Sequence, residues 1–379
     1  MNKRILICTA STGQGHNTVA FSLKDELDQL GYDVAIMEPM KQKNEHLGNF
    51  IDGGYKLLAT KMPKVYSGLY KVTNYEMVDV RVNRWIDNFM NGGLEDLVKT
   101  FDPALIISTH PLLVKQISEV ISKGEVHSKF LSVVTDFQAH QAYICDRIDG
   151  YIVGSLPTKR DLVEKDIDPK IIYPYGIPIR KDFSKVDGVY QKSDLFTLLI
   201  MGGSMGMKAI KKALANILDM DEILRIFVVC GSNEELKEEL EKLLSKYYGK
   251  KQVEIFGYVD KVNELMAISD VIVTKPGGLT VTESLTMRLP MIIPYYIPGQ
   301  EEENTEVMSA EGVAMETDIA KLDETIAKLM QKPSLLEYMK ENIDRLVEPH
   351  SFDDTLRLIE NLIEEFKTEL MDKISPLLI

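Results

Sequence analysis

The sequence predicts an α/β chain of two domains built on parallel sheets. Three observations carry the prediction. Short apolar runs rich in Val, Ile and Leu recur along the chain, most of them followed by a segment of helical periodicity, as buried parallel strands and their crossover helices do. The runs end in glycine turns or polar residues, as strands that face a ligand do in open α/β sheets. Residues 40–95 break the rhythm, it resumes, and near the middle of the 379 residues Tyr173-Pro174-Tyr175-Gly176-Ile177-Pro178-Ile179-Arg180 and the polar stretch to Asp194 mark a domain boundary, the length accommodating two domains.

Ile5 to Thr9 is the first strand. The loop Ala10-Ser11-Thr12-Gly13-Gln14-Gly15-His16-Asn17 leads into a helix in which Ala20, Leu23, Leu27 and Leu30 share one face, with Gly31 as its stop. Tyr32 to Met37 completes a βαβ opening. The loop lacks the third glycine of a dinucleotide fingerprint. His16 stands at the head of the helix, where an imidazolium is disfavoured, so it reads as a neutral base or as a histidine that only caps.

Three further strands stop at polar residues: Ala104–Ser108 before Thr109-His110-Pro111, Phe130–Thr135 before Asp136, and Gly150–Val153 before Gly154-Ser155. His140 reads either as a fourth member of that group or as a surface histidine. The second half starts with the strand Leu195–Met201 and the turn Gly202-Gly203-Ser204-Met205-Gly206, a candidate phosphate cradle at a helix start. Strands follow at Ile226–Gly231 and Val253–Val259, the latter with a loop suited to a flat base.

The most informative stretch is Asp270-Val271-Ile272-Val273 with the turn Thr274-Lys275-Pro276-Gly277-Gly278 and a helix through Leu279, Thr280 and Glu283. Strand, tight glycine turn and helix start make an anion site, because glycines allow close backbone approach and the first helical N–H groups face the ligand. A carboxylate one turn in, Glu283, repels phosphate but accepts hydrogen bonds from a vicinal diol such as ribose. The alternative is an ordinary strand–helix turn with an exposed Glu. Past the strand Leu289–Pro294, Gln300 and Glu301 offer an amide and a carboxylate to sugar hydroxyls, or else start an acidic helix whose dipole they complement. Helices are expected over Asp323–Met330, Ser334–Leu346 and Phe352–Leu370.

Composition is 45% apolar and 27% charged, as in soluble globular proteins, with no run of eighteen apolar residues. The first residues do not read as a secretory signal. Cys8, Cys145 and Cys230 follow no metal or disulfide spacing and read as free thiols. The net charge of −14 is uneven, −1 over 1–190 and −13 over 191–379. The acidic half argues against nucleic acid as a partner.

Residues 53–75 hold Lys56, Lys61, Lys64 and Lys71 and no acid, interleaved with Tyr55, Tyr66 and Tyr70, and Trp85 lies further on. Lysines among Tyr and Trp suit a peripheral contact with an anionic membrane. A packed amphipathic helix pair with a solvated basic face is the alternative.

These motifs resemble a known family. Ser11-Thr12-Gly13-Gln14-Gly15-His16, Val134-Thr135-Asp136-Phe137, Lys275-Pro276-Gly277-Gly278-Leu279-Thr280 with Glu283, and Pro298-Gly299-Gln300-Glu301 look like those of GT-B glycosyltransferases of family 28. Within it they are most similar to the plant monogalactosyldiacylglycerol synthases and the bacterial processive diacylglycerol glucosyltransferases. The Pro-Gly-Gln-Glu element separates that group from the peptidoglycan N-acetylglucosaminyltransferase. Gln14 replaces a glycine of the plant pattern, and Ala142, Tyr143 and Ile144 stand where the family often has a tryptophan.

The resemblance implies two Rossmann-like doubly wound domains facing across a cleft. The lipid-facing domain spans 1–185 and the nucleotide-sugar domain 186–350, with a helix and tail over 351–379 that can cross back to the first. It implies inverting transfer of glucose or galactose from a UDP-sugar to the sn-3 hydroxyl of diacylglycerol, or to a glycosyl-diacylglycerol, at the cytoplasmic face of the membrane. His16 resembles the catalytic base, with Asp136 as runner-up or orienting group. Gly15 belongs to the first glycine loop. Gly202, Gly203 and Ser204 resemble a diphosphate contact, and Phe256, Tyr258 and Val259 the uracil pocket. Pro276, Gly277, Gly278 and Thr280 resemble the backbone cradle, Glu283 the ribose partner, and Gln300 and Glu301 the sugar readers. No Asp-x-Asp pair stands in a suitable loop, so no metal and no cofactor is expected. The competing readings are a UDP-N-acetylglucosamine 2-epimerase, which needs no basic lipid-facing stretch, a peptidoglycan-type N-acetylglucosaminyltransferase, and a nucleotide-sugar sensor that regulates a partner protein.

Overall fold

The computed structural model describes residues 3–10, 14–38, 94–124, 126–184, 191–202 and 207–374. The chain divides into two compact units, Met1–Arg180 with Pro349–Ile379, and Lys181–Glu348.

The first unit holds six parallel strands: β1 (Arg4–Cys8), β2 (Asp33–Met37), β3 (Leu105–Ser108), β4 (Lys129–Val133), β5 (Gly150–Ile152) and β6 (Ile172–Tyr173), in the order β2-β1-β3-β4-β5-β6. Every residue of β3, β4 and β5 is buried, which is why these strands read as continuous apolar runs. Leu6, Ile106 and Phe130 join Leu113 and Ile117 of helix α2 (Pro111–Ser122) in one core. Each such side chain contributes about 1.5–3 kcal/mol by leaving water. The chain winds from β1 out to β2, then returns past β1 to β3. The direction of winding therefore reverses between β1 and β3, and a ligand crevice belongs outside the carboxyl ends of those two strands. Helix α1 (Gln14–Gln29) follows β1 and α2 follows β3, so both helices start there.

The second unit repeats the plan with β7 (Thr197–Met201), β8 (Arg225–Val229), β9 (Gln252–Phe256), β10 (Val271–Val273), β11 (Met291–Ile293) and β12 (Ala314–Glu316), ordered β12-β11-β10-β7-β8-β9 and all parallel. Its winding reverses between β7 and β10. The Gly202 turn follows β7. The Lys275–Gly278 turn follows β10 and opens helix α7 (Gly278–Thr286), the fourth helix of this unit after α4 (Met207–Leu218), α5 (Glu234–Leu244) and α6 (Val262–Ile268), α3 (Leu156–Glu164) lying in the first unit. Helix α8 (Gln300–Ala310) follows β11, and α9 (Leu322–Gln331) and α10 (Pro333–Val347) close the unit. β11 and β9 are among the strands shorter than their apolar runs. β11 is confined between Pro290 and Pro294, which have no amide to give to a ladder. β9 stops before Gly257, so Tyr258 and Val259 lie in the turn beyond it.

After Pro349 the chain re-enters the first unit. The Ser351 amide donates to Tyr175 O at 2.9 Å, and His350 Nε2 donates to Gly154 O at 2.9 Å. Gly176 has φ +87°, and a β-carbon there would lie 2.9 Å from the His350 ring, so no larger residue fits. Helix α11 (Phe352–Ile374) then packs on β3 and β4. Lys129 Nζ holds it through Glu369 at 2.8 Å and Glu365 at 3.5 Å, with Asp149 at 3.3 Å. The helix outlasts its expected end at Leu370, because Met371, Asp372 and Lys373 continue the helix and Pro376 is the first strong breaker. Among the described residues no helix is long and apolar enough to cross a membrane.

Candidate active site

In the first unit the site grows from the reversal between β1 and β3. His16 is the third residue of α1, and Gly15 stands beside it. The imidazole does not cap its own helix. Its Nδ1 lies 2.8 Å from the carbonyl oxygen of Thr109, just past β3. A carbonyl can only accept, so the proton sits on Nδ1 and the lone pair on Nε2. Thr135 Oγ1, past the end of β4, lies 3.0 Å from the same nitrogen and 3.1 Å from the Tyr143 hydroxyl. The Tyr143 oxygen also accepts the Thr135 amide at 3.3 Å. A buried chain thus runs from phenol to threonine to imidazole.

Burial pushes the His16 pKa down to about 4, against the opposing pull of the Thr109 carbonyl. The ring is therefore neutral near pH 7. His110 meets it edge-on, with centroids 4.3 Å apart and planes at 60°. His110 caps α2 by accepting the Leu112 amide at Nδ1 over 3.2 Å. Burial, and then the neighbouring His16, hold it well below the usual histidine range. Two neutral imidazoles side by side are consistent, because a charge on either raises the cost of charging the other.

Asp136 is buried one residue past Thr135, and its charge adds to burial in pushing the Tyr143 phenol up. His140 caps the short turn Gln141–Tyr143 by accepting the Ala142 amide at 3.0 Å. It thereby fixes Tyr143 rather than presenting a free ring nitrogen at Nδ1. Thr109, His110 and Thr135 are partners of His16, with Tyr143 behind Thr135, and none of the four was marked as a site residue in the sequence. The signal for them was the series of strands that end in polar residues.

In the second unit the turn past β10 is held rigidly. Asn304 Nδ2 of α8 donates to Pro276 O at 3.0 Å. Gly277 is the N-cap of α7, no side chain caps the helix, and its first turn carries no acid. Its leading amides remain open to an anion, and Glu283 is buried one turn in. Thr280 is half-buried in that first turn. Lys275 forms an ion pair with Glu301 Oε1, and the other oxygen of that carboxylate accepts the Ile297 amide at 2.9 Å. Gln300 opens α8, where Glu302 accepts the Gly299 amide at 3.2 Å. Gly202 sits past β7 under the Tyr295 hydroxyl. Phe256 ends β9 with its ring 5.9 Å from Phe227, and Tyr258 is 74% exposed beyond it.

The carboxyl ends of β7, β10 and β11 therefore bring together Gly202, Pro276, Gly277, Gly278, Gln300 and Glu301. Phe256, Tyr258 and Val259 lie at the same end of the sheet on its edge strand. Lys275 and Tyr295 join the cluster without having been marked as site residues in the sequence. Gly203, Ser204, Lys56, Lys61, Lys64, Tyr66, Tyr70, Lys71 and Trp85 lie outside the described residues. Among the described residues no group of three His, Cys, Asp or Glu is placed to hold a metal ion.

Comparison with known proteins bears on both units. The model of the monogalactosyldiacylglycerol (MGDG) synthase family matches residues 16–179, and that of the glycosyltransferase family 28 C-terminal domain matches 197–353. A processive diacylglycerol beta-glucosyltransferase of Bacillus pumilus is 31% identical over 96% of this chain and 95% of its own length. The protein of that name from Bacillus subtilis is 30% identical over 96% of each. Among solved structures, MurG of Acinetobacter baumannii superposes with a TM-score of 0.66 over 94% of this chain and 99% of that one, at 16% identity, which shows a shared fold. Two α/β units of six parallel strands are thus the GT-B fold, and the chain belongs to the family 28 glycosyltransferases of the diacylglycerol glycosyltransferase group.

Proposed function

We propose that this protein transfers glucose from UDP-glucose to the sn-3 hydroxyl of diacylglycerol, or to a glucose already on it, with inversion at the anomeric carbon. The observation that carries the reading is the bond from His16 Nδ1 to the Thr109 carbonyl, which leaves the lone pair on Nε2, in a chain alike over almost its whole length to diacylglycerol beta-glucosyltransferases. His16 Nε2 takes the proton of the acceptor hydroxyl. The hydroxyl oxygen attacks the anomeric carbon as the bond from that carbon to the diphosphate oxygen breaks, and UDP leaves from the opposite face. Asp136, buried near Tyr143, is the second candidate for base or orienting group.

The second unit holds the donor. Gly202, Gly203 and Ser204 take the diphosphate, together with the leading amides of α7 at Gly278 and Thr280, which the turn at Pro276 and Gly277 sets in place. Those amides, rather than a metal, offset the charge on the departing diphosphate. Glu283 reads the ribose, Phe256, Tyr258 and Val259 the uracil, and Gln300 and Glu301 the sugar hydroxyls. Gly15 precedes His16 in the first turn of α1. The basic stretch from Lys56 to Lys71, with Tyr66, Tyr70 and Trp85, docks the protein peripherally on an anionic membrane at its cytoplasmic face.

The test is turnover with UDP-glucose and with UDP-galactose on diacylglycerol in vesicles, separating the lipid products by the number of sugars. Glucolipid from UDP-glucose, undiminished by EDTA, is the expected result. Conversion of the nucleotide sugar in the absence of lipid, without any glycolipid when lipid is present, would replace this reading with an epimerase.

A further inference from the structure

We propose that Tyr295 is a donor-binding residue whose hydroxyl gives a hydrogen bond to a phosphate oxygen of the nucleotide sugar at the Gly202 turn. This deepens the reading above and rests on it.

The Tyr295 hydroxyl is buried and has no hydrogen-bond partner among the described residues. Native proteins pair nearly all such groups, so an orphan needs a reason, and a ligand that completes the bond is one such reason. The place of the orphan is specific. A β-carbon built on Gly202 would lie 2.1 Å from the Tyr295 oxygen, so the hydroxyl sits directly over that α-carbon. Gly202 follows β7 and Tyr295 follows β11, and β10 with the uncapped start of α7 lies between them in the sheet. The hydroxyl is therefore aimed at the point where the winding of the sheet reverses, beside amides that are open to an anion.

The chemistry favours an anion over a neutral group. Burial and the nearby Glu301 carboxylate push the phenol up, so it stays protonated and is held as a donor. Lys275 compensates Glu301, so the carboxylate does not turn an incoming phosphate away. Phenylalanine would fill the same space without leaving an orphan, so the oxygen is not explained by packing.

The test is calorimetric binding of uridine and UDP to the full chain and to Tyr295→Phe, with melting temperatures of both without ligand. In the variant, UDP should bind about tenfold more weakly, the loss expected for a hydrogen bond to a charged group. Uridine affinity should not change, and the ligand-free variant should melt no lower than the wild type, because nothing inside the protein loses a partner. Unchanged UDP affinity would overturn the proposal, as would equal weakening of uridine and UDP or a drop of several degrees in the ligand-free melting temperature. If the wild-type chain fails to bind UDP at all, the nucleotide-sugar reading falls together with the Tyr295 assignment. If the wild type binds UDP and the variant matches it, only the Tyr295 assignment falls.

Discussion

Nδ1 of His16 and the carbonyl oxygen of Thr109 lie 2.8 Å apart, and that bond decides which face of the ring is available for chemistry. It joins the first turn of α1 to the end of β3, two elements that meet only because β1 and β3 pair in the sheet. The basic nitrogen is thereby aimed by backbone, which no side-chain substitution elsewhere can easily re-aim.

Replacing His16 should therefore remove the base and leave the donor site intact. His16→Ala is expected to lower glycolipid formation at least about a hundredfold. Calorimetric UDP affinity should stay at the wild-type value. A variant that still turns over at a comparable rate would take His16 out of the mechanism.

The acid limb of the pH profile should lie unusually low. His16 holds its proton only below about pH 4, so the neutral base persists well under the ordinary histidine range. Initial rates are expected to stay level from pH 7 to about 5 and to fall only as the His16 pKa is approached. Stability moves differently. The unfolded chain protonates its histidines near pH 6.5, whereas His16, His110 and His350 in the folded chain all stay neutral below that. The unfolded state then binds more protons, so folding stability should decline as pH drops from 7 towards 4. Urea midpoints across that range check the sign.

Thr135 links Tyr143 to His16 through its hydroxyl. Thr135→Val keeps its volume and loses the hydroxyl, and should lower kcat about tenfold with KM little altered, as loss of one orienting hydrogen bond does. Thr135→Ser should restore most of the rate. A Thr135→Val enzyme at the wild-type rate beside a slow Thr135→Ser enzyme would mean that the methyl group, not the hydroxyl, matters.

Lys275 and Glu301 form a largely buried pair, so breaking it from one side strands a carboxylate. Lys275→Met is expected to cost about 2–4 kcal/mol in urea unfolding. The double variant Lys275→Met with Glu301→Gln should recover part of that loss, and the cycle gives the coupling directly. Additive losses would show that the two groups do not act as a pair.

Much of the fold was legible because parallel strands buried on both faces leave uninterrupted apolar runs, as β3 and β4 do. The turn at Lys275–Gly278 was legible because glycine and proline punctuate it. Other features left no local trace. Thr135 meets His16 across 119 positions, and Lys275 meets Glu301 across 26, and neither spacing has a helical or strand period. Strand ends were over-read where apolar residues continue past the last ladder bond, as at Val259 and Pro294. His140 stood open as a member of the polar group or a surface residue, and only the fold shows its Nδ1 spent on capping the turn that carries Tyr143.

The basic stretch has its own measurement. Neutralising Lys56, Lys61, Lys64 and Lys71 together should weaken sedimentation with anionic vesicles by about 1 kcal/mol for each lysine at the surface. Partition into neutral vesicles should change far less. Equal binding of both forms to anionic vesicles would return the stretch to an ordinary solvated face.

Helix α11 also sets an order of events during synthesis. The first unit is interrupted by the whole of Lys181–Glu348, and the segment that Lys129 clamps emerges last. A ribosome needs on the order of ten seconds to make the intervening stretch. Throughout that interval β3 and β4 lack the helix that packs on them, while the second unit, continuous in the chain, has everything it needs to close. The earlier half of the polypeptide is thus the later one to finish, and nascent chains halted before residue 352 should recruit chaperones through the apolar face that α11 has not yet covered.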